Sequence, residues 1–256
     1  MIIDTHTHLD DDRYDADLDD VISRAKADGI TTFIIPGASP DTLQKAVKIA
    51  QNYEDIYFAV GVHPYDIDNY DRDFLESYIT HPKCIAVGEC GLDYFRLPEN
   101  DDEIQNEKKR QKEVFIDQID LANKYNKPLI VHIRDASSDS LDILLQNPVK
   151  CGGVLHCYNA DESLLKLKDN FYYGIGGVIT FKNAKKLINV YPKIPKDRLL
   201  IETDSPYLTP HPHRGERNEP SYTKLVAQKM AQLSDISVEE IEDITTQNAK
   251  RLFGIK

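Results

Sequence analysis

Met1-Ile-Ile-Asp-Thr-His-Thr-His8 decides how the rest of the chain is read. A short β-branched apolar run ends in two histidines two residues apart. In extended chain such residues point the same way, so His6 and His8 present two imidazoles to one point. The same grammar recurs downstream. Glu89 follows Ala86-Val-Gly88, His132 follows Leu129-Ile-Val131, His156 follows Gly153-Val-Leu155, and Asp204 closes Leu199-Leu-Ile-Glu-Thr-Asp204. His63 stands in Gly61-Val-His-Pro64, again behind an apolar run.

Runs of this kind, bounded by turn residues, predict eight strands at Ile2–Asp4, Thr31–Ile35, Tyr57–Val60, Ile85–Gly88, Leu129–Val131, Gly153–Leu155, Tyr172–Ile175 and Leu199–Ile201. Helical patterns separate or follow them, among them Leu18–Asp28, Asp41–Tyr53, Glu103–Tyr125, Ser221–Leu233 and Val238–Phe253. Ser237-Val-Glu-Glu240 reads as a capping box for the last. Eight strands alternating with helices point to an α/β fold, a closed (β/α)8 TIM barrel, rather than an open doubly wound sheet. No glycine-rich phosphate loop follows the first strand, which disfavours a nucleotide-cofactor fold. With 256 residues and no linker or low-complexity tract, residues 1–256 read as one domain.

Such barrels carry their chemistry where strands end, so the polar residues above should converge on one rim. His132 or His156 alone is more often a hydrogen-bonded core histidine than a ligand. Glu89 is harder to explain that way, because a carboxylate behind an apolar strand is costly to bury unless paired or coordinated. Six oxygen and nitrogen donors at one rim suffice for two divalent cations with open positions. The donors are His6, His8, Glu89, His132, His156 and Asp204. Glu89 has two oxygens with which to bridge, and Asp204 is expected to ligate and to take the proton of an attacking water. Glu202, two residues before Asp204, is expected to hydrogen-bond a ligand histidine or to pair inside the barrel. The late loop His211-Pro-His-Arg-Gly-Glu-Arg-Asn-Glu-Pro220 offers Arg214 and Arg217 as phosphate grips.

Bulk properties narrow the function. The net charge of −12 argues against a surface that holds nucleic acid everywhere, since that affinity comes from Lys and Arg. A strand end drawn to a local cation pair is still compatible with it. No apolar stretch is long enough to cross a bilayer and no leader pattern opens the chain, so the expectation is a cytoplasmic protein with no membrane contact and no obligate protein partner. Cys84, Cys90, Cys151 and Cys157 lack metal-site spacing; Cys84 and Cys151 read as buried small hydrophobes opening strands.

Taken together these stretches resemble the TatD family of metal-dependent deoxyribonucleases, within the amidohydrolase-like metal hydrolases. The matching segments are Ile3-Asp-Thr-His-Thr-His-Leu9, Gly61-Val-His-Pro64, Val87-Gly-Glu-Cys-Gly-Leu-Asp-Tyr94, Pro128-Leu-Ile-Val-His-Ile-Arg-Asp-Ala136, Gly153-Val-Leu-His-Cys157, Ile175-Gly-Gly-Val-Ile-Thr-Phe181, Glu202-Thr-Asp-Ser-Pro-Tyr-Leu208 and Arg214-Gly-Glu-Arg-Asn-Glu-Pro220. The resemblance implies a two-metal site (Mg, Mn or Zn). His6, His8, Glu89 and Asp204 would hold one ion, and Glu89, His132 and His156 the other. His63 would meet the scissile phosphate. It implies hydrolysis of DNA or another phosphodiester, exonucleolytically. The chain departs from the family pattern at Ile133, where a small polar residue is common, and at Glu216, where a lysine is common. Two rival readings share the scaffold: an ester or lactone hydrolase such as an aminoacyl-tRNA deacylase, and a metal-binding protein without catalysis.

Overall fold

A computed structural model describes residues 1–255. Eight parallel strands follow one another around a barrel in the order β1 to β8. They are β1 (Ile2–Asp4), β2 (Ile30–Ile35), β3 (Ile56–Val60), β4 (Cys84–Asp93), β5 (Leu129–Arg134), β6 (Gly153–Leu155), β7 (Phe171–Ile175) and β8 (Leu199–Ile201). The seam between last and first strand is closed by Thr5 N donating to Ile201 O at 3.2 Å, Asp204 N to His6 O at 2.9 Å and His8 N to Ser205 O at 2.8 Å. This is the single-domain (β/α)8 barrel expected from the strand pattern.

Period-two alternation sorts the strand residues. One set, Phe33, Phe58, Val131 and Ile201 among it, packs outward under the helices; the other, with Ile3, Ile34, Ala86, Ile130, Val154 and Leu200, fills the barrel. The helices are α1 (Leu18–Ala27), α2 (Pro40–Asn52), α3 (Arg72–Ile79), α4 (Asp101–Tyr125), α5 (Ser137–Gln146), α6 (Lys185–Val190), α7 (Thr223–Ser234) and α8 (Val238–Phe253). Helix α8 starts as the capping pattern predicts, Glu240 N donating to Ser237 Oγ at 3.1 Å. It seals the lower end, adding Ala249 and Phe253 to the interior cluster. Its Asn248 amide donates to Leu199 O at 2.9 Å, tying the plug to β8.

Three local expectations are corrected. Strands β4 and β5 run further than expected, to Asp93 and Arg134, so Glu89 and His132 lie inside strands rather than behind them. The two strands support each other up to the pair Asp93–Arg134, with the register shifting between Val87 and Cys90. Gly91 permits this approach: its φ is +142°, and a Cβ there would fall 2.0 Å from His132 O. Secondly, the β6–β7 link carries a 3-10 turn at Glu162–Leu167 instead of an α-helix. Thirdly, Cys84 is buried but Cys151 is exposed. It precedes β6 in a turn that Gly152 makes at φ +66°.

Candidate metal centre

The interior layers explain why the polar residues converge. Two residues beyond the apolar layer formed by Ile130, Val154 and Leu200, the same inward face carries His132, His156 and Glu202. Strand β7 has Gly174 at that level, and the Glu202 carboxylate fills the space: a Cβ on Gly174 would lie 2.2 Å from Glu202 Oε2. Beyond β8 the backbone turns left-handed at Asp204, φ +56°, a conformation aspartate tolerates better than most residues. That turn brings its carboxylate beside the histidines that follow β1.

Glu89 is the hub. Its Oε1 lies 2.9 Å from both His132 Nδ1 and His156 Nε2, and 3.6 Å from His63 Nε2. Its Oε2 lies 3.3 Å from His6 Nε2 and 3.8 Å from His8 Nε2. Asp204 Oδ1 is 3.4 Å from His8 Nε2 and 3.7 Å from His6 Nε2. Burial works to raise the Glu89 carboxyl, but the surrounding imidazoles of His156, His6 and His132 outweigh it and hold it well below the usual range. The same contest leaves Asp204 lowered, through His8, His6 and His156.

The ring nitrogens show what this arrangement lacks. His132 Nε2 is 2.9 Å from Asp93 Oδ2, so that nitrogen carries the proton and Nδ1 turns its lone pair inward. There it meets Glu89 Oε1, and also His156 Nε2 at 3.2 Å. Three electron-rich atoms at such spacings repel unless protons or a cation stand among them. His6 is fully buried with neither ring nitrogen hydrogen-bonded, and is stacked on His156 at 3.8 Å between ring centroids. Such orphaned nitrogens are costly in a barrel interior and are suited to coordinate a metal. Two groupings share Glu89: His6, His8 and Glu89 on one side, Glu89, His132 and His156 on the other, each with donor atoms within 4.8 Å of one another.

Around the hub, His63 has its Nδ1 accepting Tyr65 N–H at 3.1 Å, which leaves Nε2 as a donor facing the centre. Burial, with His132 and His156 close by, pushes its pKa down to about 4, so the ring is neutral. Glu202 accepts from Cys157 N at 2.5 Å and lies 3.7 Å from His156 Nδ1, within ion-pair range but beyond a hydrogen bond. The cluster floors an open cavity of about 1000 Å³.

Arg214 and Arg217, expected as phosphate grips, do not line that cavity. Arg217 donates to both Asp17 oxygens, at 2.8 and 2.6 Å, and to Glu219 at 3.2 Å. Arg214 lies on the Phe181 ring and donates to Thr209 O. The cations that do line the cavity are Arg96, Arg134 and Lys186. Sequence reading also missed Asp93, although it lies in the Glu89-Cys-Gly-Leu-Asp93 stretch, four residues past the hub on the strand that carries it.

The family model "TatD related DNase" matches residues 3–254. The chain belongs to the TatD family. It is 46% identical over its whole length to the "Uncharacterized metal-dependent hydrolase YabD" of Bacillus subtilis, which it also covers completely. It is 33% identical to the "3'-5' ssDNA/RNA exonuclease TatD" of Escherichia fergusonii, over 99% of each chain. Among solved structures, the TatD homologue YJJV of Escherichia coli superposes with a TM-score of 0.89 at 28% identity, over 100% of this chain and 98% of that one. This TatD protein is therefore a metal-dependent hydrolase, and the imidazole–carboxylate cluster above offers several groups able to hold its metal. Among the described residues no helix is long and apolar enough to cross a membrane.

Proposed function

We propose that the protein hydrolyses phosphodiester bonds at DNA strand ends, exonucleolytically, with two divalent ions at the Glu89 cluster. One observation carries the reading: the two oxygens of one buried carboxylate face separate donor sets, Oε1 toward His132 and His156, Oε2 toward His6 and His8. His6, His8, Asp204 and Glu89 would hold one ion, and Glu89, His132 and His156 the other. Mixed imidazole and carboxylate donors suit Mg²⁺, Mn²⁺ or Zn²⁺. When bound, such ions neutralise phosphate oxygens and lower the pKa of water.

The chain's own groups supply the rest. Asp204, kept ionised by its histidine neighbours, takes the proton of the attacking water. Neutral His63 donates its Nε2–H to a phosphate oxygen as charge builds there. Arg96 and Arg134, which line the cavity, replace Arg214 and Arg217 as the phosphate contacts. The relative named as an ssDNA/RNA exonuclease supports nucleic acid as the substrate. Four free cysteines fit a reducing compartment such as the cytoplasm, and we read residues 1–256 as one hydrolase domain acting without an obligate protein partner.

The test is digestion of end-labelled single- and double-stranded DNA by protein supplied with Mn²⁺, with products sized. Glu89→Gln and Asp204→Asn should each lose about 100-fold or more. Wild-type rates in both variants would overturn the assigned roles.

A further inference from the structure

The chain contains fourteen tyrosines and eight phenylalanines, and among the described residues just three of these rings are exposed: Tyr65 at 39%, Tyr207 at 47% and Phe95 at 55%. Tyr65 and Tyr207 line the cavity, and Phe95 adjoins it beneath Arg134, which lines it as well. The Tyr65 ring packs edge-on to His63 with centroids 5.0 Å apart, and the Tyr207 ring packs edge-on to His8 at 5.8 Å. Phe95 follows the top of β4, its N–H donating to Asp93 Oδ1 at 2.9 Å. Tyr65 and Phe95 thus stand by the His63 and Asp93 side of the hub, and Tyr207 by the His8 side.

Each exposed ring also has a guanidinium over it. Arg134 Cζ lies 3.5 Å from the Phe95 centroid, Arg13 4.3 Å from Tyr207, and Arg96 5.2 Å from Tyr65. Arg13 is paired with Asp11, whereas Arg96 and Arg134 have no carboxylate within ion-pair distance among the described residues. A chain of net charge −12 repels a polyanion over most of its surface, so a strand must be held by local contacts. Arginine-capped aromatic rings suit that task. The ring faces stack on any base, and the guanidinium edges still reach phosphate oxygens.

We infer that Phe95, Tyr207 and Tyr65 form a base-stacking rim that seats the unpaired nucleotides next to the scissile bond, with Arg96 and Arg134 on the adjoining phosphates. Paired bases hide their faces in the duplex stack, so the rim selects an unpaired strand. The inference rests on the phosphodiester reading above and names the residues that choose the substrate.

The test compares KM for an oligothymidylate with KM for the same backbone lacking bases, both with Mn²⁺. In the wild type the base-bearing strand should have a KM lower by about tenfold or more, the usual worth of one stacked base. Phe95→Ala and Tyr207→Ala should each shrink that ratio severalfold, and Phe95→Tyr and Tyr207→Phe should restore it. Leu145→Ala, at an exposed apolar residue on α5, should leave the ratio at the wild-type value. A second readout does not depend on turnover. Asp204→Asn protein should quench a 2-aminopurine placed near the strand end, and adding Phe95→Ala should abolish the quench. Cleavage of both strands with a ratio that none of the alanine variants changes would overturn the stacking rim and leave the phosphodiester reading intact. Cleavage of neither strand by the wild type would overturn both.

Discussion

Asp93 Oδ2 sits 2.9 Å from Nε2 of His132, and this contact determines which nitrogen of that ring faces Glu89. Both residues come from the extended upper parts of β4 and β5, which pair side by side up to Asp93 and Arg134. Asp93 is buried, and although burial works to raise its carboxyl, the bond to His132 and the Phe95 N–H bring it below its ordinary value. Outer carboxylates of this kind hold a ligand imidazole in one tautomer and raise its basicity.

Replacing that carboxylate should therefore weaken metal binding without touching a donor. Asp93→Ala is expected to lower metal affinity about 10- to 100-fold. Competition with a chromophoric chelator measures it, and an unchanged affinity would show that His132 orients itself.

Removing metal should destabilise the fold, because the cluster binds cations only when assembled. A ligand at about 100 times its Kd adds about 2.7 kcal/mol to stability. Thermal melts with Mn²⁺ should lie above melts in EDTA, and Glu89→Gln should narrow the gap. Identical melts in all conditions would contradict the assignment.

Gly174 has a purely spatial role. A methyl group there would press on the Glu202 carboxylate, which is fully buried in the barrel. Gly174→Ala should cost about 1–3 kcal/mol, as overpacking does in cores. In a chain of this size that lowers Tm by about 2–4 °C per kcal/mol. A variant melting with the wild type would mean that Glu202 moves aside freely.

Arg217 should matter for stability rather than turnover. Its guanidinium joins Asp17 and Glu219, which also receive Arg24, so α1 and the late loop are fastened together. The Arg217 hydrogen bond holds the Asp17 carboxyl below its ordinary value. A depressed folded-state pKa stabilises above the unfolded value and fades as pH falls through the folded one. Arg217→Ala should thus melt lower than the wild type at pH 7, with the difference shrinking as pH falls below about 4. A loss of KM for DNA at unchanged Tm would restore the phosphate role first expected of it.

These cases also show what the chain made legible. His6, His8, His63, His156 and Asp204 could be read because each follows a short apolar strand, and barrel geometry gathers such positions at one rim. Glu89 and His132 converge with them, yet they lie inside strands: the bulge and glycines that lengthen β4 have no apolar signature. Asp93 resembles an ordinary turn aspartate until β5 places His132 beside it. The engagement of Arg217 could not be read, because its partner, Asp17, is 200 residues away in the chain, a pairing no local pattern announces. The aromatic rim was invisible for a related reason: Tyr65, Phe95 and Tyr207 look like core residues until burial separates them from the other rings.

The seam between β8 and β1 has a temporal consequence. His6 and His8 leave the ribosome first among the donors and Asp204 last, and the bond from Asp204 N to His6 O at 2.9 Å joins the two ends of that interval. A nascent chain lacking its final strand carries an incomplete set of donors and so holds no complete metal site. Dications that reach across the seam would then act as a clasp on a finished ring, rewarding only the chain that has come full circle.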